Sequence, residues 1–91
     1  MDVVLGQVVY SKAGRDKDRI FIVYKIIDSN YVAIVDGKLR KIDKQKVKKI
    51  KHLRLTSDII SSIKEKLENN VMVNDAEIRK ALAEYKSREI I

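Results

Sequence analysis

The sequence has no cysteine, no proline and no tryptophan, and only one histidine, one phenylalanine and three glycines in 91 residues. Without cysteine there is no disulfide and no thiolate metal site, and such usage fits a reducing cytoplasm. The one histidine, His52, stands between Lys51 and Leu53 in a basic, alternating segment. A histidine so placed is expected at a surface or strand edge rather than as a catalytic base. Gly6, Gly14 and Gly37 are scattered and form no phosphate-cradling loop. No apolar run approaches the ~20 residues that span a bilayer. Met1-Asp2-Val3-Val4 lacks the basic segment and long apolar run of a signal peptide. These absences lead us to expect a cytoplasmic protein that is not an enzyme, needs no cofactor or metal, and has no membrane partner.

What is present is charge on a globular background. Hydrophobic residues make up 45% of the chain and charged ones 36%, which suits one small folded domain, expected as a monomer, rather than a disordered chain. The net charge is +7, and its placement is uneven. Residues 1–37 carry five Lys/Arg and five Asp/Glu, residues 38–56 nine and one, and residues 57–91 six and seven. All the excess therefore sits in one short segment. A local positive field of that kind suits a polyanion such as nucleic acid; a merely solubilising role is the alternative.

The chain is organised around two β-rich runs, Val8 to Ser11 and Ile20 to Ile27, on either side of a charged loop. That loop, residues 12–19, sets Lys12, Arg15, Lys17 and Arg19 against Asp16 and Asp18. Such a pattern predicts a hairpin. The loop is expected in solvent, because buried ions and unpaired backbone would lack water. Gly14 is expected to supply positive φ or a close approach. The interleaved cations would repel a metal ion, so Asp16 and Asp18 are expected to order the loop through local ion pairs.

The run G-Q-V-V-Y-S-K-A-G-R-D-K-D-R-I-F-I-V resembles a KOW motif, the strand–loop–strand element shared by several ribosomal proteins and NusG-type elongation factors. The likeness continues through V-D-G and H-L-R-L-T to about two-thirds of the chain. Over that length it resembles large-subunit ribosomal protein fourteen of archaea and eukaryotes, and more closely the small bacterial KOW-domain RNA-binding proteins. The resemblance implies an SH3-like barrel and RNA binding at or near the ribosome. Asp18 and Phe21 stand where many KOW loops have glycine. Aspartate tolerates left-handed backbone, and Phe21 suggests a strand packed from both sides.

Taken in order, Val3 to Ser11 is expected as the first strand and Ile20 to Ile27 as a central second one. Tyr31 to Val35 is the third. Asp36-Gly37 then signals a two-residue turn with positive φ at both positions, followed by a fourth strand over Lys38 to Ile42. Val47 and Ile50 are expected to anchor the basic segment, and His52 to Leu55 to form a fifth strand. Five short strands with tight turns suit a small, strongly bent SH3-like barrel over residues 1–56. From Ser57 the period becomes helical. Ile59, Ile60, Ile63 and Leu67 would face one way, with Thr56 or Ser57 as cap and Asn69-Asn70 as stop. Asn74-Asp75-Ala76-Glu77 resembles a capping box opening a second helix striped by Ile78, Ala81, Leu82 and Tyr85. Residues 57–91 are thus expected as a two-helix appendage, the whole being an α+β protein.

Three groups of cations carry the functional expectation. Lys12, Arg15, Lys17 and Arg19 lie on the loop. Lys38, Arg40 and Lys41 follow the Asp36-Gly37 turn, and Lys44, Lys46, Lys48, Lys49, Lys51 and Arg54 come next. Lysine predominates, which favours phosphate contact and shape reading over base readout. Tyr10, Tyr24 and Tyr31 fall on predicted strands and are expected in or near the core, so sequence-specific single-strand binding is disfavoured. Structured RNA, ribosomal RNA in particular, is the expected ligand and the ribosome a candidate partner. A general DNA binder, or a protein-interaction adaptor using the barrel or the helices, is the competing reading.

Overall fold

β2 (Ile20–Ile26) is the strand on which the others are laid. In the structure, a computed structural model that describes residues 3–89, Ile20, Phe21, Ile22 and Val23 are all buried. Successive side chains of β2 thus find cover on both faces, as Phe21 suggested. β1 (Gln7–Ser11) pairs antiparallel with it in the register Val8↔Ile22 and Tyr10↔Ile20. β3 (Tyr31–Val35) pairs on the other side, Ile22↔Val35 and Ile26↔Val32, with a bulge between Val23 and Lys25. β4 (Lys46–Lys49) adds to β3 and β5 (Leu53–Ile59) to β1, giving the order β4-β3-β2-β1-β5.

The sheet is not closed, since β4 and β5 do not pair, yet it must curl. Laid flat, its two edges would stand about 19 Å apart at the usual ~4.8 Å strand spacing. They are joined from Lys49 to Leu53 by a single 3-10 turn, Ile50–His52, and four peptide steps reach at most about 14 Å.

The two faces hold two apolar clusters. One joins Val9, Phe21, Val23, Val32, Ile34 and Leu53, with Val3, Ile50 and Leu55 packed against it. The other joins Val8, Ile20, Ile22 and Val35 to Ile63, Val73, Ile78 and Leu82. The latter four come from α1 (Ser61–Glu68), α2 (Asp75–Glu89) and their connection. Apart from Ile59, the expected helical stripes are therefore packed against the sheet's second face.

Several local expectations are met. Asn70 takes φ +56 and Val71 N–H donates to Lys66 O at 2.8 Å, ending α1 where two asparagines predict a stop. Asn74 and Glu77 form the reciprocal capping box, with Glu77 N–H donating to Asn74 Oδ1 at 2.9 Å and Asn74 N–H to Glu77 Oε1 at 3.4 Å.

Others are corrected. β1 begins at Gln7, not Val3, after a turn at Leu5-Gly6. No strand forms over Lys38 to Ile42. Asp36 Oδ1 accepts the backbone N–H groups of Lys38 and Arg40, both at 2.9 Å, so its side chain competes with a ladder and holds the chain in bends. Of the Asp36-Gly37 pair only Gly37 has positive φ, +77. Ile42 N–H then donates to Asp75 Oδ1 at 2.9 Å, starting the 3-10 turn Ile42–Lys44. Val47, expected as an anchor, is 51% exposed on an edge strand; Ile50 does pack inward. β5 runs to Ile59, which pairs with Gln7 of β1; Gln7 Nε2 also donates to Thr56 O at 2.8 Å and Thr56 Oγ1 to Val8 O at 2.6 Å. The expected boundary after residue 56 falls inside this strand. Thr56 and Ser57 accordingly do not cap α1; Ile60 precedes it without a side-chain cap, and Ile59 is an exposed strand residue. Among the described residues no helix is long and apolar enough to cross a membrane.

Candidate nucleic-acid interface

The charged loop between β1 and β2 is closed by its own backbone. Ser11 N–H donates to Arg19 O at 3.1 Å, Asp18 N–H to Ser11 O at 2.8 Å, and Arg19 N–H to Asp16 O at 2.9 Å. Gly14 and Asp18 both take left-handed backbone, φ +79 and +68. A Cβ at Gly14 would meet nothing closer than Lys48 Nζ at 3.4 Å, so the glycine serves conformation rather than close approach.

The loop is not uniformly in solvent. Asp16 is only 4% exposed. Its Oδ2 accepts Nε and Nη2 of Arg40 at 3.1 and 2.8 Å. The expected ion pairing with neighbours in the loop is replaced by a partner across the structure. Arg40 is also held by its backbone, since Asp36 and Gly37 N–H both donate to its carbonyl. Lys48 Nζ donates to Ala13 O at 3.1 Å, and Lys12 N–H donates to His52 O at 2.8 Å. The loop thereby touches the bends at 37–40, strand β4 and the turn at 50–52. Three segments carrying the excess charge are gathered around one loop.

The thirteen predicted cations divide accordingly. Lys12, Arg15, Lys17, Arg19, Lys38, Lys49 and Lys51 are exposed on these gathered segments. Lys46 is half-buried on β4. Arg40 and Lys48 hold loop and sheet together. Arg54 lies over the Tyr10 ring, 4.3 Å from its centroid. Lys41 and Lys44 are exposed beside the turn that is pinned to Asp75 at the start of α2. Gly14, Asp36 and Gly37 shape the two loops.

Two further cations join from a part of the chain where none was expected. Arg79 and Lys86 of α2 line a groove of about 630 Å³ with Arg19 and Lys38, with Asp18 and Asp36 also in its wall. Arg79 Nη1 donates to Gly37 O at 2.7 Å. Their seven-residue spacing, two helical turns, was the available signal. Among the described residues no three His, Cys, Asp or Glu side chains gather as a metal site. Compared with known proteins, the chain matches no family model and none of the curated proteins.

Proposed function

We propose that this protein is a monomeric, cytoplasmic RNA-binding module, not an enzyme, that grips structured RNA by its phosphates. The observation that carries the reading is the pinned loop. Asp16–Arg40, Lys48–Ala13 and Lys12–His52 hold residues 12–19 against the segment bearing the excess charge. A fixed array of cations loses less side-chain and loop entropy on binding than a mobile tail would. The curled meander with its edge strands joined by one 3-10 turn supports an SH3-like arrangement of the KOW kind. The ribosomal setting rests on the residues of the resemblance.

The test is titration of a labelled RNA hairpin over a range of salt. With ~4–6 phosphates neutralised, log affinity falls against log salt with a slope of about −3 to −5. Replacing exposed Arg15, Lys17 and Lys51 by glutamate weakens binding at least about tenfold while the fold persists. Salt-independent binding, or unchanged affinity in that variant, overturns the reading. Equal affinity for DNA of the same sequence would make the protein a general nucleic-acid binder.

The adaptor reading has one observation in its favour. Tyr24, Ile26, Val71 and Met72 line an apolar groove of about 750 Å³, and Met72 is 87% exposed. An adaptor would lose its partner in Met72→Glu without any change in the RNA titration.

A further inference from the structure

A separate hollow lies beside the cationic array, between the β2–β3 turn and the 3-10 turn that leads into β5. It holds about 560 Å³, within the range of small-ligand sites. Its floor is aliphatic, formed by Ile50, Leu53 and Leu55. Its rim carries Lys12, Lys49 and Lys51, and among the described residues no carboxylate lines it. The groove shared with α2, by contrast, has two aspartates in its wall.

The walls are fixed before any ligand arrives. Asp28 Oδ1 accepts the N–H groups of Asn30 and Tyr31 at 2.8 and 2.9 Å. Ile50 N–H donates to Asn30 O at 2.8 Å, tying that turn to the floor. The Asn30 side chain is exposed at the mouth and makes no hydrogen bond to another described residue. Its amide thus offers a donor and an acceptor together. Lys49 Nζ lies 6.0 Å from the Tyr31 ring centroid, at the outer limit of a cation–π contact, and so is available to an anion.

We infer that this hollow takes one unpaired nucleotide of a structured RNA, its base on the aliphatic floor, its edge read by Asn30, and its flanking phosphates on Lys12, Lys49 and Lys51. The inference rests on the RNA-binding reading above and adds base capture to it. Few aromatics argue against stacking along a single strand, but a lone extruded base is held by stacking on apolar side chains and by hydrogen bonds to its edge, which the floor and the Asn30 amide offer. A paired stem presents no free base face, so the hollow distinguishes bulged from continuous helices.

The experiment compares two RNA hairpins of one sequence, one fully paired and one carrying a single-nucleotide bulge of 2-aminopurine, each titrated by anisotropy with the full chain. The bulged RNA is expected to bind about fivefold to tenfold tighter, a difference of about 1 to 1.4 kcal/mol, with a change in 2-aminopurine fluorescence. Asn30→Ala and Leu55→Ala, each checked for folding by thermal melt, bring that ratio towards one while affinity for the paired hairpin holds. Equal binding of both hairpins by the intact protein overturns the inference and leaves the RNA-binding reading standing. Failure of both to bind overturns the two together. Displacement of the bulged RNA by submillimolar free nucleotide would show a free-nucleotide site and overturn it as well.

Discussion

Asp16 Oδ2 accepts two N–H groups of Arg40, which lies 24 residues further along the chain. The pair joins the charged loop to the bends after β3. Asp16 is nearly buried and Arg40 partly so, their side chains being 6% and 28% exposed. Removing the arginine leaves an uncompensated carboxylate out of water, which costs far more than losing a surface pair. Arg40→Ala is expected to destabilise by about 2 kcal/mol, read as a shift in urea midpoint with unchanged slope. Arg40→Lys recovers only part, because one ammonium replaces a fork of donors. A loss no larger than that of Lys44→Ala would show the pair to be incidental.

Gly14 and Gly37 both have positive φ but should tolerate alanine differently. At Gly14 the cost is the left-handed backbone alone, about 1–2 kcal/mol. At Gly37 a Cβ would also come within 2.5 Å of Asp75 O and 2.9 Å of Arg79 Cγ. Backbone cannot yield as a lysine end can, so Gly37→Ala must shift α2 from the sheet. Chemical denaturation should rank Gly37→Ala well below Gly14→Ala in stability, and amide NMR shifts should spread into α2 only for Gly37→Ala.

What was legible in the sequence followed the range of the interaction. β2, β3 and the Asn74–Glu77 cap are written in neighbouring residues, and the structure keeps them. The missing strand at 38–42 was not legible, because Asp36 redirects the backbone there by hydrogen bonds to Lys38 and Arg40. The true end of β5 depends on Ile59 pairing with Gln7, beside a Gln7 side chain that reaches Thr56, 49 residues away. The cluster of positive charge was visible as composition. That Arg40 and Lys48 act as ties, and that Arg79 and Lys86 join the cationic groove, depends on which segments touch.

Acid should weaken the link between the helices. The Lys66 ammonium donates to Glu77 Oε2 and, with the Asn74 amide also contributing, holds the Glu77 carboxyl below its ordinary value of 4.5 against the opposing effect of burial. A depressed folded pKa means that stability is fully present above the unfolded value. It is lost as pH falls through the folded one. Glu77→Gln is therefore expected to be less stable than the parent at neutral pH. The gap should narrow below about pH 4.5 and close at lower pH. A gap independent of pH would place the effect of the substitution in the cap geometry instead.

Deleting residues 61–91 tests whether the helices are an appendage. The deletion leaves all five strands but uncovers Val8, Ile20, Ile22 and Val35, which share their cluster with Ile63, Val73, Ile78 and Leu82. Re-exposing four such side chains forfeits at least about 6 kcal/mol, comparable with the ~5–15 kcal/mol that holds a small domain together. The truncated chain is expected to lose cooperative unfolding and amide dispersion. Ile78→Ala in the full chain probes the same cluster without cutting it. Ile78 is fully buried, so the substitution should cost about 3 kcal/mol. A dispersed spectrum and a cooperative melt from the truncated sheet, together with a small loss in Ile78→Ala, would mean that the curled sheet stands alone and that the helices only shield it.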